Sequence, residues 1–82
     1  MFYVYAISSL RQNYIYVGLT NDLDSRIARH NDGREKTTRF YRPFELIFSE
    51  ICKTRPDARI REKYWKSGTG KEQLKNIKNK PK

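Results

Sequence analysis

The 82-residue chain contains a single cysteine, Cys52, and a single histidine, His30. One cysteine cannot close an internal disulfide or build a thiolate metal cluster, so disulfide-stapled scaffolds and Cys-rich zinc modules are excluded. Cys52 reads as a half-buried strand residue in a protein of a reducing cytoplasm. One histidine excludes a multi-His zinc site, and the chain has no H-E-x-x-H, no C-x-x-C and no Walker-type loop. No apolar run approaches the roughly 18 residues of a membrane helix, and the opening MFYVYAISS lacks the basic start and long apolar stretch of a signal peptide. A cytoplasmic protein with no membrane partner is expected. There is no internal repeat, and 82 residues suffice for one domain with one small core. Residues 1–78 are expected to form it, with residues 79–82 as a basic tail.

Acidic residues are scarce. Nine Asp and Glu stand against 18 Lys and Arg, a net charge of +9. That balance favours phosphate-rich partners through counterion release, nucleic acid before anionic membranes or acidic proteins. The hydrophobic fraction is only 37%, but aromatics make up 13% and supply large area per residue, so the chain reads as globular.

Hydrophobic patterning gives the elements. FYVYAIS and YIYVGLT are aromatic and β-branched and flank the polar SLRQN, which predicts a hairpin. NDLDSRIARHND predicts a first helix capped by Asn21 or Thr20 and ending near Gly33, with Leu23 and Ile27 on one face. FELIFSEIC, opened by Pro43, is a third strand. Thr54 followed by Asp57 resembles a capping box for a second helix over residues 55–66, with Ala58 and Trp65 on one face and Trp65 as core. Thr69 with Glu72 repeats that spacing ahead of a short third helix carrying Leu74 and Ile77.

The residues able to do chemistry are tyrosines, arginines, the histidine and glutamates. Period-2 alternation puts Tyr3 and Tyr5 on one strand face, and Tyr14 and Tyr16 on one face of the next strand. If the hairpin brings these faces together, the hydroxyls cluster beside Gly18, whose missing side chain lets a phosphate or another backbone approach. Arg26 and His30 share a helix face at i, i+4; Arg26 could instead pair with Asp22. The connection carrying Arg34, Lys36, Arg39 and Arg42, with Phe40 and Tyr41 interleaved, suits either solvent or a groove that tracks a nucleic-acid backbone, with Arg29 adding to the basic set. Glu62, between Arg61 and Lys63, is either a salt-bridged helix residue or a metal ligand.

In order and spacing, YVY, then YVG, then Arg26 on the next helix and Glu62 on a later one, with LTNDLDSRIARHN and RPFELIFSE between, the chain resembles the GIY-YIG nuclease superfamily. The likeness is to its small stand-alone bacterial branch, related to the N-terminal domain of the excision-repair nuclease C subunit, and it runs from Tyr3 to about Leu74. It implies an α+β fold, a three-stranded antiparallel sheet flanked by helices in the order β-β-α-β-α-α. It also implies a divalent-metal-dependent endonuclease that hydrolyses DNA phosphodiesters, in repair or recombination, with Mg²⁺ or Mn²⁺ held by Glu62. By position, the resemblance makes Tyr5, Tyr16, Gly18, Arg26, His30 and Glu62 the catalytic set. Tyr3 stands where the name motif has Gly, and an asparagine that many members carry after the Glu has no match.

Elementary chemistry accords with those roles. Phosphodiester hydrolysis needs an activated water, positive charge on the developing oxygens and stabilisation of the departing oxygen. A tyrosine beside a cation and an arginine can lose its proton more readily than at its ordinary pKa of about 10, and the sequence leaves Tyr5 and Tyr16 both open as the base. An arginine can bridge two phosphate oxygens in a fork that lysine cannot reproduce. The rival readings are a non-catalytic nucleic-acid-binding module of the same fold and a basic protein-interaction adaptor.

Overall fold

A computed structural model describes residues 1–79 of the chain. Three strands and three α-helices follow in the expected order: β1 (Phe2–Ser9), β2 (Ile15–Thr20), α1 (Leu23–Asn31), β3 (Phe44–Cys52), α2 (Arg55–Lys66) and α3 (Gly68–Asn79). The sheet is antiparallel with order β2-β1-β3, so the first strand is central. Tyr5 pairs with Gly18 and Ile7 with Tyr16, while on the other edge Phe2 pairs with Cys52 and a register shift between Ala6 and Ile7 bends the ladder. The expected basic tail begins inside α3 at Asn79; residues 80–82 lie outside the described residues.

Alternation along the strands divides the core in two. Val4, Ala6, Ile15 and Val17 pack on one face with Ala58 and Trp65 of α2 and Leu74 of α3. Tyr5, Ile7 and Phe44 pack on the other face with Tyr14, Tyr16 and the α1 residues Leu23 and Ile27. Polar bonds fix the layers. Trp65 Nε1 donates to Glu50 Oε1 (2.7 Å), which also accepts from Arg61 Nε (2.9 Å), tying α2 to β3; Lys71 Nζ donates to the Ile15 carbonyl (2.8 Å), tying α3 to β2.

Two helix starts differ from expectation. The N-cap of α1 is Asp22, whose carboxylate accepts from Ser25 N (3.3 Å); Thr20 lies two residues back and its hydroxyl accepts from Asp22 N (3.1 Å). The N-cap of α3 is Ser67, whose hydroxyl accepts from Gly70 N (3.2 Å), so Thr69 already lies in the first turn. In both cases oxygen-bearing residues stand close together, and the strand or helix packed ahead decides which one meets the free amides. Thr54 caps α2 as expected, accepting from Asp57 N (3.3 Å). At the end of α1, Gly33 N donates to the His30 carbonyl and Arg34 N to the Arg29 carbonyl, with Gly33 at φ +79°. This is a Schellman closure, and the left-handed residue it needs is the glycine.

Candidate active site

The site is built where α1 crosses the hairpin. Tyr5, on the central strand, extends over Gly18 of β2: a Cβ at Gly18 would lie 2.5 Å from Tyr5 Cζ and closer still to the hydroxyl. The open space beside Gly18 is therefore filled by the phenol of Tyr5 and is not left for a phosphate. Beyond Gly18, Tyr5 Oη meets Nε2 of His30 at 2.8 Å, and His30 Nδ1 meets Thr38 Oγ1 at 2.8 Å. Tyr5 and His30 are each 1% exposed and Thr38 is fully buried. A Tyr–His–Thr chain is thus sealed beneath α1, with both ring nitrogens engaged.

Burial sets the proton affinities of this chain. It pushes the Tyr5 hydroxyl well above its ordinary value, reinforced by Tyr16, with Arg26 opposing and Glu35 and Glu62 adding to the rise. Burial likewise lowers His30, partly opposed by Glu35 and assisted by Arg26 and Arg29. Both groups are held neutral. Tyr5 is accordingly a poor base, and the charges of Arg26, Glu35 and Glu62 all act on its hydroxyl.

Tyr16, Arg26 and Glu62 differ from the sealed chain in reaching the surface. The Tyr16 ring lies 5.1 Å from His30 and 6.4 Å from Tyr5, centroid to centroid, so the buried pair supports it from behind. Tyr16 is half-buried, and among the described residues its hydroxyl has no protein hydrogen-bond partner. Arg26 forms no ion pair among the described residues: the carboxylate of Asp22 is committed to the helix cap, and the expected alternative pairing does not occur. Glu62 has a side chain 13% exposed and is flanked by Lys66 Nζ at 3.3 Å and Arg59 at 3.6 Å.

Among the described residues no group of three or more His, Cys, Asp and Glu is placed to hold a metal. A single carboxylate nevertheless fits a hard cation that keeps most of its waters, as Mg²⁺ does. The two cations beside Glu62 sit on long, half-exposed side chains and can swing aside. Glu62 would be the one protein ligand.

The basic residues fall into two groups. Arg29 is paired with Glu35 (2.9 Å) and Arg34 approaches Asp32 (3.9 Å), while Lys36 is exposed. Arg39 and Arg42 belong to a short 3₁₀ turn (Arg39–Tyr41) and its exit, which sequence patterning does not reveal. That turn is held by stacking of Tyr41 on Tyr14, rings 3.9 Å apart and 10° from parallel. Tyr41, expected in the basic connection, spends one ring face on Tyr14, and Thr38 is missed by the sequence. A lone threonine in a polar stretch carries no signal, and only the fold brings it to His30.

The sequence model described as the GIY-YIG catalytic domain matches residues 1–76. The chain belongs to the GIY-YIG family. It is a family of endonucleases that act on DNA and generally use divalent metals. Among GIY-YIG relatives, the UPF0213 protein YazA of Bacillus subtilis is 45% identical over 62 residues, which cover 74% of this chain and 63% of that protein. A UPF0213 protein of Pediococcus acidilactici is 38% identical over 81 residues, covering 95% of this chain and 82% of that one. The solution NMR structure of the UPF0213 protein BH0048 from Bacillus halodurans superposes with a TM-score of 0.56 at 34% identity, covering 99% of this chain and 89% of that one. The GIY-YIG fold expected from the residues is the one observed. No helix among the described residues is long and apolar enough to cross a membrane.

Proposed function

We propose that this GIY-YIG chain is an endonuclease that hydrolyses DNA phosphodiester bonds with Mg²⁺ or Mn²⁺, serving DNA repair or recombination. The carrying observation is the division of the site: Tyr5 and His30 are sealed against each other, whereas Tyr16 and Arg26 are left without protein partners at the surface. Arg26 grips two non-bridging oxygens of the scissile phosphate through its planar fork. Tyr16, having first given up its own proton to solvent, takes the proton of the attacking water. Tyr5, Gly18 and His30 are positioning residues that hold the Tyr16 ring. Glu62 would hold the cation, which would supply positive charge to the phosphate and to the departing oxygen. Arg29, Arg34, Lys36, Arg39 and Arg42 hold the DNA backbone.

One observation favours a second reading. The ion pairs of Glu62 with Lys66 and Arg59 occupy the carboxylate that the cation needs, as expected of a non-catalytic DNA-binding module. Plasmid nicking with Mg²⁺, Mn²⁺ or EDTA separates the two. Wild type should nick only with metal, and Glu62→Gln should stay folded, keep its DNA affinity in EDTA and lose cleavage by about two orders of magnitude or more. Near-normal cleavage by Glu62→Gln would assign the cation to another group. Absence of wild-type cleavage with every divalent ion, alongside salt-sensitive binding, would establish the binding module.

A further inference from the structure

At the end of the sheet beyond Tyr14, Arg11, Asn31, Arg39, Phe40, Arg42 and Pro43 line an open groove of about 440 Å³. Phe40 is 73% exposed, yet its backbone is fixed. Gln12 Nε2 donates to the Phe40 carbonyl (3.3 Å), Ser9 Oγ donates to the Tyr41 carbonyl (2.6 Å), and Tyr41 is stacked on Tyr14. A single exposed apolar residue is ordinary. An exposed ring on so anchored a turn is a platform.

Charge surrounds that platform. Arg39 lies over the Phe40 ring, 5.2 Å from its centroid, and Arg42 donates to the Arg39 carbonyl (2.9 Å) while resting against Gly33. Among the described residues none of Arg11, Arg39 and Arg42 pairs with a carboxylate. Three guanidinium groups gathered without a counter-charge repel one another, and an anion placed among them relieves that repulsion. An aromatic face beside unpaired arginines suits an unpaired nucleotide: the base stacks and the flanking phosphates are gripped.

We propose that this groove is a subsite for a nucleotide of single-stranded DNA, so that the chain engages a junction between duplex and single strand. The base stacks on the free face of Phe40, and Arg11 and Arg42 hold its phosphates. The proposal rests on reading the chain as a DNA-binding enzyme.

The test is fluorescence anisotropy in EDTA with a labelled blunt duplex and the same duplex carrying a short dT overhang. Wild type should bind the overhang about 10-fold more tightly, the scale of one base stacked on an aromatic ring. Phe40→Ala should erase the preference and leave blunt-duplex affinity within about twofold, with an unchanged circular dichroism spectrum. Phe40→Trp should restore the preference, and the introduced indole should be quenched by the overhang. Equal wild-type affinity for both duplexes would overturn the subsite, as would Phe40→Ala weakening both equally. The outcome is separable from cleavage. An overhang preference without nicking sustains the subsite and removes the nuclease; nicking without the preference does the reverse.

Discussion

Gly18→Ala is the sharpest probe of how the site is assembled. The added methyl would lie 2.5 Å from Tyr5 Cζ, and its three nearest neighbours are all atoms of the Tyr5 phenol. Overpacking of this kind costs about 1–3 kcal/mol. If Tyr5 moves to relieve it, the 2.8 Å contact with His30 Nε2 is lost and a buried nitrogen is left without a partner, a further cost of about 1–3 kcal/mol. The total, roughly 2–6 kcal/mol, is a large share of the about 4–12 kcal/mol expected for a domain of this size. Urea unfolding near 15 °C reads it directly: at a slope of about 1 kcal/mol/M, a loss of roughly 2 kcal/mol lowers the midpoint by about 2 M. The decisive comparison is the same substitution in a Tyr5→Leu background, where the phenol is gone. There Gly18→Ala should cost less than about 1 kcal/mol, giving a coupling energy of at least about 1 kcal/mol between the two positions. Equal losses in both backgrounds would refute the contact as the reason for the glycine.

The two tyrosines should separate stability from chemistry. Tyr16→Phe removes a hydroxyl with no protein partner and should change stability by no more than about 0.5 kcal/mol while abolishing cleavage; Tyr5→Phe orphans His30 and should cost about 1–3 kcal/mol. The opposite pattern would exchange their roles. His30 has its pKa lowered in the folded protein, so below about pH 6.5 the unfolded chain binds more protons and stability falls as pH falls towards the folded value. The difference in melting temperature between wild type and His30→Gln should therefore shrink from pH 8 to pH 5, and a constant difference would show that His30 does not titrate against folding. Ser67→Ala removes the hydroxyl that accepts from Gly70 N and should cost about 1 kcal/mol in urea, whereas Thr69→Ala should change stability by less than about 0.5 kcal/mol.

The order of elements was legible because each carries its own local pattern. Phe2–Ser9 and Phe44–Cys52 are dense in aromatic and β-branched residues, and Thr54 with Asp57 marks the start of α2 within one residue. The caps of α1 and α3 differ from expectation because neighbouring oxygen-bearing side chains, Thr20 to Asp22 and the pair Ser67 and Thr69, offer competing acceptors and only packing chooses between them. The candidate site residues were nameable from spacing and resemblance, but their division into a buried chain and a surface group was not. Whether a tyrosine faces His30 or solvent depends on the missing side chain at Gly18, thirteen positions away in sequence and directly opposite in the sheet. Thr38 and the Tyr14–Tyr41 stack are tertiary throughout, joining segments that share no periodicity.

The central place of the first strand has a consequence for how the molecule comes into being. Ser8 meets Ile15 across a short turn, but Phe2 waits for Cys52. A chain emerging from the ribosome therefore closes its hairpin early, at the small entropic cost of a local loop, and holds the other side of β1 open until the third strand has been made. During that interval the backbone of β1 is an unpaired edge able to recruit the same strand from another copy. Synthesis and association thus compete for one row of amides, and docking of residues 44–52 on β1 decides the contest.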